Sequence, residues 1–292
     1  MADTPVFTDK FIAFVDVLGF KAMVQAAETG SGPPLPELMK LMRKLGTKAD
    51  RNEFRRRGPL SCPDAPRVRG DMDFELTQIS DCVIISTEVS PAGVINLIWH
   101  CWGACMKLLG DGVMLRGYIK RGNIYHNEDT IYGTGYIDAY ERERQVSVFK
   151  QDADERGTPF IEVDPAVVGY VQSCGDACVK EMFDRMARTE DGLTALFPFQ
   201  RLVHEWGGPK LDAAKEKGYV EMLRKDIRSM MASVERRIDQ TNPSAVSKGT
   251  HYLRMLQEQL RICDETDRAI EMMSGTMFPR AVYDKKYFPT LK

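Results

Sequence analysis

The run Phe11-Ile-Ala-Phe-Val-Asp-Val17 carries aromatic and β-branched side chains at odd and even positions alike. Apolar on both faces, it reads as a strand at the centre of a sheet, covered on either side. Within it stands one carboxylate, Asp16, where a charge is costly to bury without positive compensation. The run breaks at Leu18-Gly19-Phe20, and Lys21 to Glu28 continues as a helix-forming stretch. N–H groups at the start of a helix can hold phosphate oxygens. A carboxylate beside such an anion nest is odd for folding alone, but it makes sense if a divalent metal bridges carboxylate and phosphate.

A second carboxylate comes from the next strand pair. Met72 to Ile79 and Cys82 to Thr87 are separated only by Ser80-Asp81, the spacing of a tight hairpin. If the second hairpin strand runs antiparallel beside the first strand, Asp16 and Asp81 meet at one edge of the sheet. Taken alone, Asp81 is an ordinary turn aspartate and Asp16 a helix cap. Taken together they favour a metal site, because adjacent carboxylates repel unless a cation lies between them, and such a pair can hold two metals for phosphoryl chemistry.

The remaining signals set the organisation. Thr29 to Pro36 is a Gly/Pro-rich break before a helix from Leu38 to about Leu45, and basic Lys48 to Arg69 reads as an exposed insertion. A helix opens with Pro91 and runs to about Leu109, followed by a long strand region from Val113 to His126, bent or split at Gly122. Gly133 to Arg144 reads as a glycine loop opening a short helix, and Pro159 to Val163 as a last strand. Beyond Asp164 a Met/Leu periodicity takes over, with amphipathic helices over Lys210 to Asp239 and Ser247 to Met273 suited to core or dimer packing.

The expected fold is therefore α+β, a half-open antiparallel sheet with helices on one face and a helical extension at the C-terminal end. The expected division is 1–168, with an insertion at about 48–70, and 169–292. With 43% hydrophobic and 28% charged residues in 292, a disordered chain is excluded. Forty Lys+Arg against 42 Asp+Glu give a net charge of −2, so no basic field draws the chain to nucleic acid or a membrane. Seven scattered cysteines and the start MADTPVFTDK suggest reduced thiols, no secretory signal and a cytoplasmic location. Cys101 and Cys105 read as small buried helix residues, and His126, His204 and His251 are assigned no catalytic role.

Phe14-Val-Asp-Val-Leu-Gly-Phe20 is similar to the opening motif of class III nucleotide cyclases, and the order strand, helix, hairpin with Asp at its turn, helix, strand matches their catalytic domain. Leu115-Arg-Gly-Tyr-Ile-Lys-Arg-Gly122 resembles their Arg-x-Gly-Ile-x-x-Gly strand. Ile131-Tyr-Gly-Thr-Gly-Tyr-Ile-Asp-Ala-Tyr-Glu-Arg-Glu143 resembles their Trp-Gly-Asp-x-Val-Asn-x-Ala-x-Arg-x-Glu segment. The likeness covers roughly residues 9–165. It implies a homodimer of ferredoxin-like βαββαβ domains with interfacial active sites. Asp16, Asp81 and the Val17 carbonyl would hold two Mn²⁺ or Mg²⁺, and backbone N–H groups of Leu18, Gly19 and Phe20 would cradle a triphosphate. Attack of the ribose 3′-hydroxyl on the α-phosphorus would give a 3′,5′-cyclic nucleotide and pyrophosphate.

Departures from the family sharpen the expectation. Thr77 stands where purine cyclases read the base with Lys, and Thr130 where they place a second base-reading residue. Ile137 and Glu141 replace the Asn and Arg of the last segment, so Arg116, Lys120, Arg121, Arg142 and Arg144 are candidates for the transition-state charge, with Arg116 and Arg142 taken as catalytic. Tyr136 joins Thr77 and Thr130 as substrate-binding. Metal aspartates without purine contacts resemble the bacterial Pycsar pyrimidine cyclases of antiphage defence. That resemblance implies UTP, or next CTP, as substrate, and a downstream effector that senses the cyclic product without necessarily binding this chain. The alternatives are a purine cyclase and a degenerate homologue that only binds nucleotide or dimerises.

Overall fold

In the computed structural model, which describes residues 4–57, 72–199 and 213–273, the apolar run forms strand β1, Thr8–Val17. It pairs antiparallel with β3, Cys82–Glu88, on one side and with β4, Leu115–His126, on the other. With neighbours on both edges and helices on both faces, Lys10 to Val15 are all buried, and only Thr8 and Asp9 at the start of the strand are exposed. That is why the sequence shows no alternation there.

Strand β2, Phe74–Ile79, pairs with β3 across the two-residue turn, giving the order β2-β3-β1-β4. With helices α1, Phe20–Glu28, and α4, Pro91–Leu109, between the strands, this is the split βαβ arrangement of an α+β ferredoxin-like fold. Helix α2, Leu35–Met42, follows α1. β4 runs unbroken through Gly122 and ends in a short pairing with β5, Ile131–Tyr132. The first core packs Phe11, Ala13, Val15 and Val17 of β1 against Val94, Ile95, Leu97 and Ile98 of α4. Among the described residues only α4 is long and apolar enough to cross a membrane, and most of it is buried in this core.

Three expectations are corrected. Helices do not share one face: α5, Thr134–Glu143, lies on the opposite side of β1, where Tyr136, Ala139 and Tyr140 meet Ile12 and Phe14. Lys48 to Arg57 is not an exposed insertion but a helix, α3, whose Phe54 stacks on Phe74 with ring centroids 4.7 Å apart. Arg51 is buried there between Glu75 and Glu128; residues 58–71 lie outside the described residues. The strands do not end with β6, Ile161–Val163, which runs parallel to β4. After helices α6, Pro165–Ser173, and α7, Ala177–Met186, strands β7, Ala187–Glu190, and β8, Leu193–Leu196, extend the same sheet.

The C-terminal helices are present as expected and take the core-packing role. α8, Ala213–Arg237, and α9, Pro243–Met273, form a pair. Their stripes Val220, Ile227, Val234 and Leu256, Cys263, Ile270 repeat every seven residues and pack onto Leu109, Tyr118, Phe160, Phe197 and Phe199. Ile227→Val is expected to lower the unfolding free energy by about 1 kcal/mol, read as a shifted urea midpoint, whereas Met222→Val on the exposed side should leave it unchanged.

Candidate metal and nucleotide site

Asp16 is the penultimate residue of β1, on the α5 face with Ile12 and Phe14. Its register partners are Cys82 on β3 and Arg116 on β4. The hairpin turn places Ser80 at φ +56°, the left-handed region a two-residue turn needs. Asp81 follows, and its carbonyl accepts the Val17 N–H at 3.1 Å. This backbone bond pins the hairpin turn to the end of β1, so two acids 65 positions apart in sequence come together at one corner of the sheet.

The electrostatics record that convergence. Asp16 is pushed up to about 7, first by burial, then by the negative charges of Glu143 and Asp81, while Arg116 pulls the other way. The Cys82 thiol is pushed up to about 11 by burial, with Asp16 and Asp81 adding to it. Tyr136, packed on Phe14, is raised by burial and by Cys82. Arg116 itself is bound to the buried Glu143 and reaches the Gly157 carbonyl at 3.5 Å. The corner thus holds a buried acid beside other carboxylates, and the arginine acting on it is itself bound to Glu143.

That donor set fits a divalent ion shared with a polyphosphate. Among the described residues no three His, Cys, Asp or Glu side chains close into a cage of their own. Mg²⁺ and similar ions need no such cage, since they are held by one or two carboxylates plus substrate phosphates and water. Asp16, Asp81 and the carbonyl of Val17, the last residue of β1, are the groups that could hold it.

The turn after β1 is partly committed. Gly19 sits at φ +79° as the N-cap of α1, with no side-chain cap and open space where a Cβ would point. The Leu18 N–H donates to the Met114 carbonyl at 3.0 Å, so it is not free for a phosphate. The first N–H groups of α1 have no intrahelical acceptor and remain for an anion.

The other expected residues divide. Arg142 is exposed at the end of α5 and its charge acts on Tyr118 and Glu162, not on the Asp16 corner. Lys120 pairs with Asp138 at 2.5 Å, Arg121 with Asp9 at 2.7 Å, and Arg144 lies over the Tyr140 ring. Thr77 lies on the Asp16 side of the sheet, two strands away, and its hydroxyl is bonded to His126 Nε2 at 3.0 Å. His126 also meets Ser86 at 2.9 Å. Burial, reinforced by Lys10, presses its pKa down to about 4, so the ring is neutral near pH 7. Thr130 is in the bend between β4 and β5, its N–H donated to Asn127 Oδ1 at 2.9 Å.

One residue at this corner has no counterpart in the motifs. Lys248 of α9 is half-buried, and its ammonium pKa is lowered by burial and by the nearby charge of Arg116, with Glu143 and Asp16 acting the other way. It stands in a helix whose amphipathic spacing explains the stripe but carries no mark of a phosphate or carboxylate partner, so pattern alone could not single it out. The chain matches no protein-family model and no curated protein.

Proposed function

We propose that the protein is a metal-dependent nucleotidyl cyclase related to the class III enzymes. It would convert a pyrimidine nucleoside triphosphate, UTP before CTP, to the 3′,5′-cyclic monophosphate and pyrophosphate. One observation carries the reading: two sequence-distant carboxylates are drawn to the end of a central strand beside a glycine turn, with Asp16 raised as a buried acid beside other carboxylates should be. Two bound divalent ions, Mn²⁺ or Mg²⁺, would supply positive charge to the triphosphate and to the ribose 3′-oxygen. Asp16, Asp81 and Val17 would hold that charge at the corner, and the start of α1 would orient phosphate oxygens. Attack forms the O3′–α-phosphorus bond, breaks the bond from the α-phosphorus to the pyrophosphate oxygen, which leaves as pyrophosphate, and passes the hydroxyl proton to water.

Base preference follows from what Thr77 offers. A short hydroxyl committed to a neutral histidine gives no long cation to an adenine edge. The reading includes a homodimer, which would cover the exposed Tyr132, Ile137 and Tyr140 beside the site, and a cytoplasmic product sensed by a separate effector of the antiphage type. A second reading, nucleotide binding without turnover, is favoured by one observation only, the pairing of Arg116 with Glu143.

Incubating the protein with each of the four ribonucleoside triphosphates and Mn²⁺, then identifying products by mass spectrometry, separates these. Cyclic UMP or cyclic CMP is expected. Cyclic AMP or cyclic GMP would mean a purine cyclase, and no product in any reaction would leave only binding.

A further inference from the structure

Between the start of α1 and the α8–α9 turn lies a cavity of about 370 Å³. Leu18, Gly19 and Met114 line it from the cyclase-like part, and Arg236, Arg237 and Lys248 from the C-terminal helices. Asp239 is the one acid on its wall, and its carboxylate is occupied by the Thr241 N–H and hydroxyl. The arginines are held in place from behind: Arg236 donates to Ser233 Oγ at 3.1 Å and Arg237 to the Asp111 carbonyl. Lys248 is half-buried and has no hydrogen bond or ion pair with any described residue.

A half-buried ammonium without a bonded partner is a costly arrangement unless a ligand completes it. Three cations against one occupied acid call for a polyanion. Because Lys248 both lines the cavity and lies on the side of Asp16 and Glu143, a phosphate chain entering past Gly19 runs between them. Arg116, Lys120, Arg121 and Arg144 each have a partner already.

We propose that this cavity receives the polyphosphate of the nucleotide, with Lys248 as the phosphate-binding cation on the side of Asp16 and Glu143 and with Arg236 and Arg237 lining the same wall. The C-terminal helix pair is then a wall of the active site of its own chain. This rests on the cyclase reading for the nucleotide, though not for the anion.

The test titrates sodium tripolyphosphate into the metal-free full-length protein by calorimetry and measures cyclic nucleotide formation with Mn²⁺ in parallel. Wild type should bind, Lys248→Gln should bind at least tenfold more weakly, Lys248→Arg should retain most of the affinity, and Lys225→Gln on the exposed side of α8 should change nothing. Cyclisation by Lys248→Gln should fall at least a hundredfold. Wild type failing to bind tripolyphosphate, or Lys248→Gln binding it as tightly as wild type, overturns the assignment. Binding that depends on Lys248 in a protein that cyclises no nucleotide would uphold the cavity and remove the cyclase reading. Full cyclisation by Lys248→Gln would do the reverse.

Discussion

Asp16→Asn is expected to abolish cyclisation and, in the same protein without divalent ions, to raise stability above pH 7. Losing an outer-shell partner of a metal ligand costs 10–100-fold, so losing the ligand itself should cost roughly a thousandfold or more. The stability change has the opposite sign because the folded carboxyl titrates near 7 against 3.8 for the free group. Between those values the native state binds the extra proton, so Asp16 makes stability fall as pH rises through that window. The full penalty is present above pH 7 and absent below about pH 4. A shift of that size corresponds to about 4 kcal/mol if unscreened, and partial exposure reduces it to about 1–2 kcal/mol. Asparagine keeps the shape and removes the charge. Urea unfolding at pH 5 and pH 8 in chelator should therefore show the variant gaining over wild type mainly at pH 8. Mn²⁺ should restore the balance by stabilising wild type more than the variant. A variant less stable than wild type at pH 8 in chelator would mean that Asp16 is satisfied within the fold and is not waiting for a cation.

The acid pair was legible because both halves of the inference are local. An apolar run marks β1, a two-residue gap marks the hairpin, and antiparallel pairing then forces the start of β3 against the end of β1. Nothing similar revealed Lys48 to Arg57 as packed structure. Its basic composition imitates a solvent loop, and only Phe54 and Arg51, three apart, face inward to Phe74 and Glu75. β7 and β8 escaped because four-residue strands such as Ala-Arg-Thr-Glu are too short to display a period. α5 was recognised as a helix, but a helix pattern says which face is apolar, not which side of a sheet it will cover. Lys248 was the least legible of all. Its significance lies in a neighbour some 230 positions away, a relation that no local spacing records.

Gly112→Ala is expected to loosen the C-terminal helices, costing about 3–5 kcal/mol, in the range of large core disruptions. Gly112 has φ +73°, and an added Cβ would stand 2.1 Å from the Ser233 carbonyl oxygen and 2.7 Å from the Val234 nitrogen. Left-handed backbone costs an alanine about 1 kcal/mol by itself. The larger part is steric, because the obstructing atoms are backbone of α8 and cannot turn aside as a side chain could. Relief requires α8 to shift, which pulls Val234 out of its stripe and breaks the Arg237 bond to the Asp111 carbonyl. Gly110→Ala is the matched control: its backbone is ordinary right-handed helix, and the nearest atom to a new Cβ is 3.6 Å away. It should be neutral or slightly stabilising. Because Gly112, Arg236 and Arg237 share one cavity wall, the unfolding midpoint and tripolyphosphate affinity should fall together in Gly112→Ala and hold in Gly110→Ala. A Gly112→Ala protein within 1 kcal/mol of wild type would show that α8 is not seated on the turn before β4, and the cationic wall would lose its support.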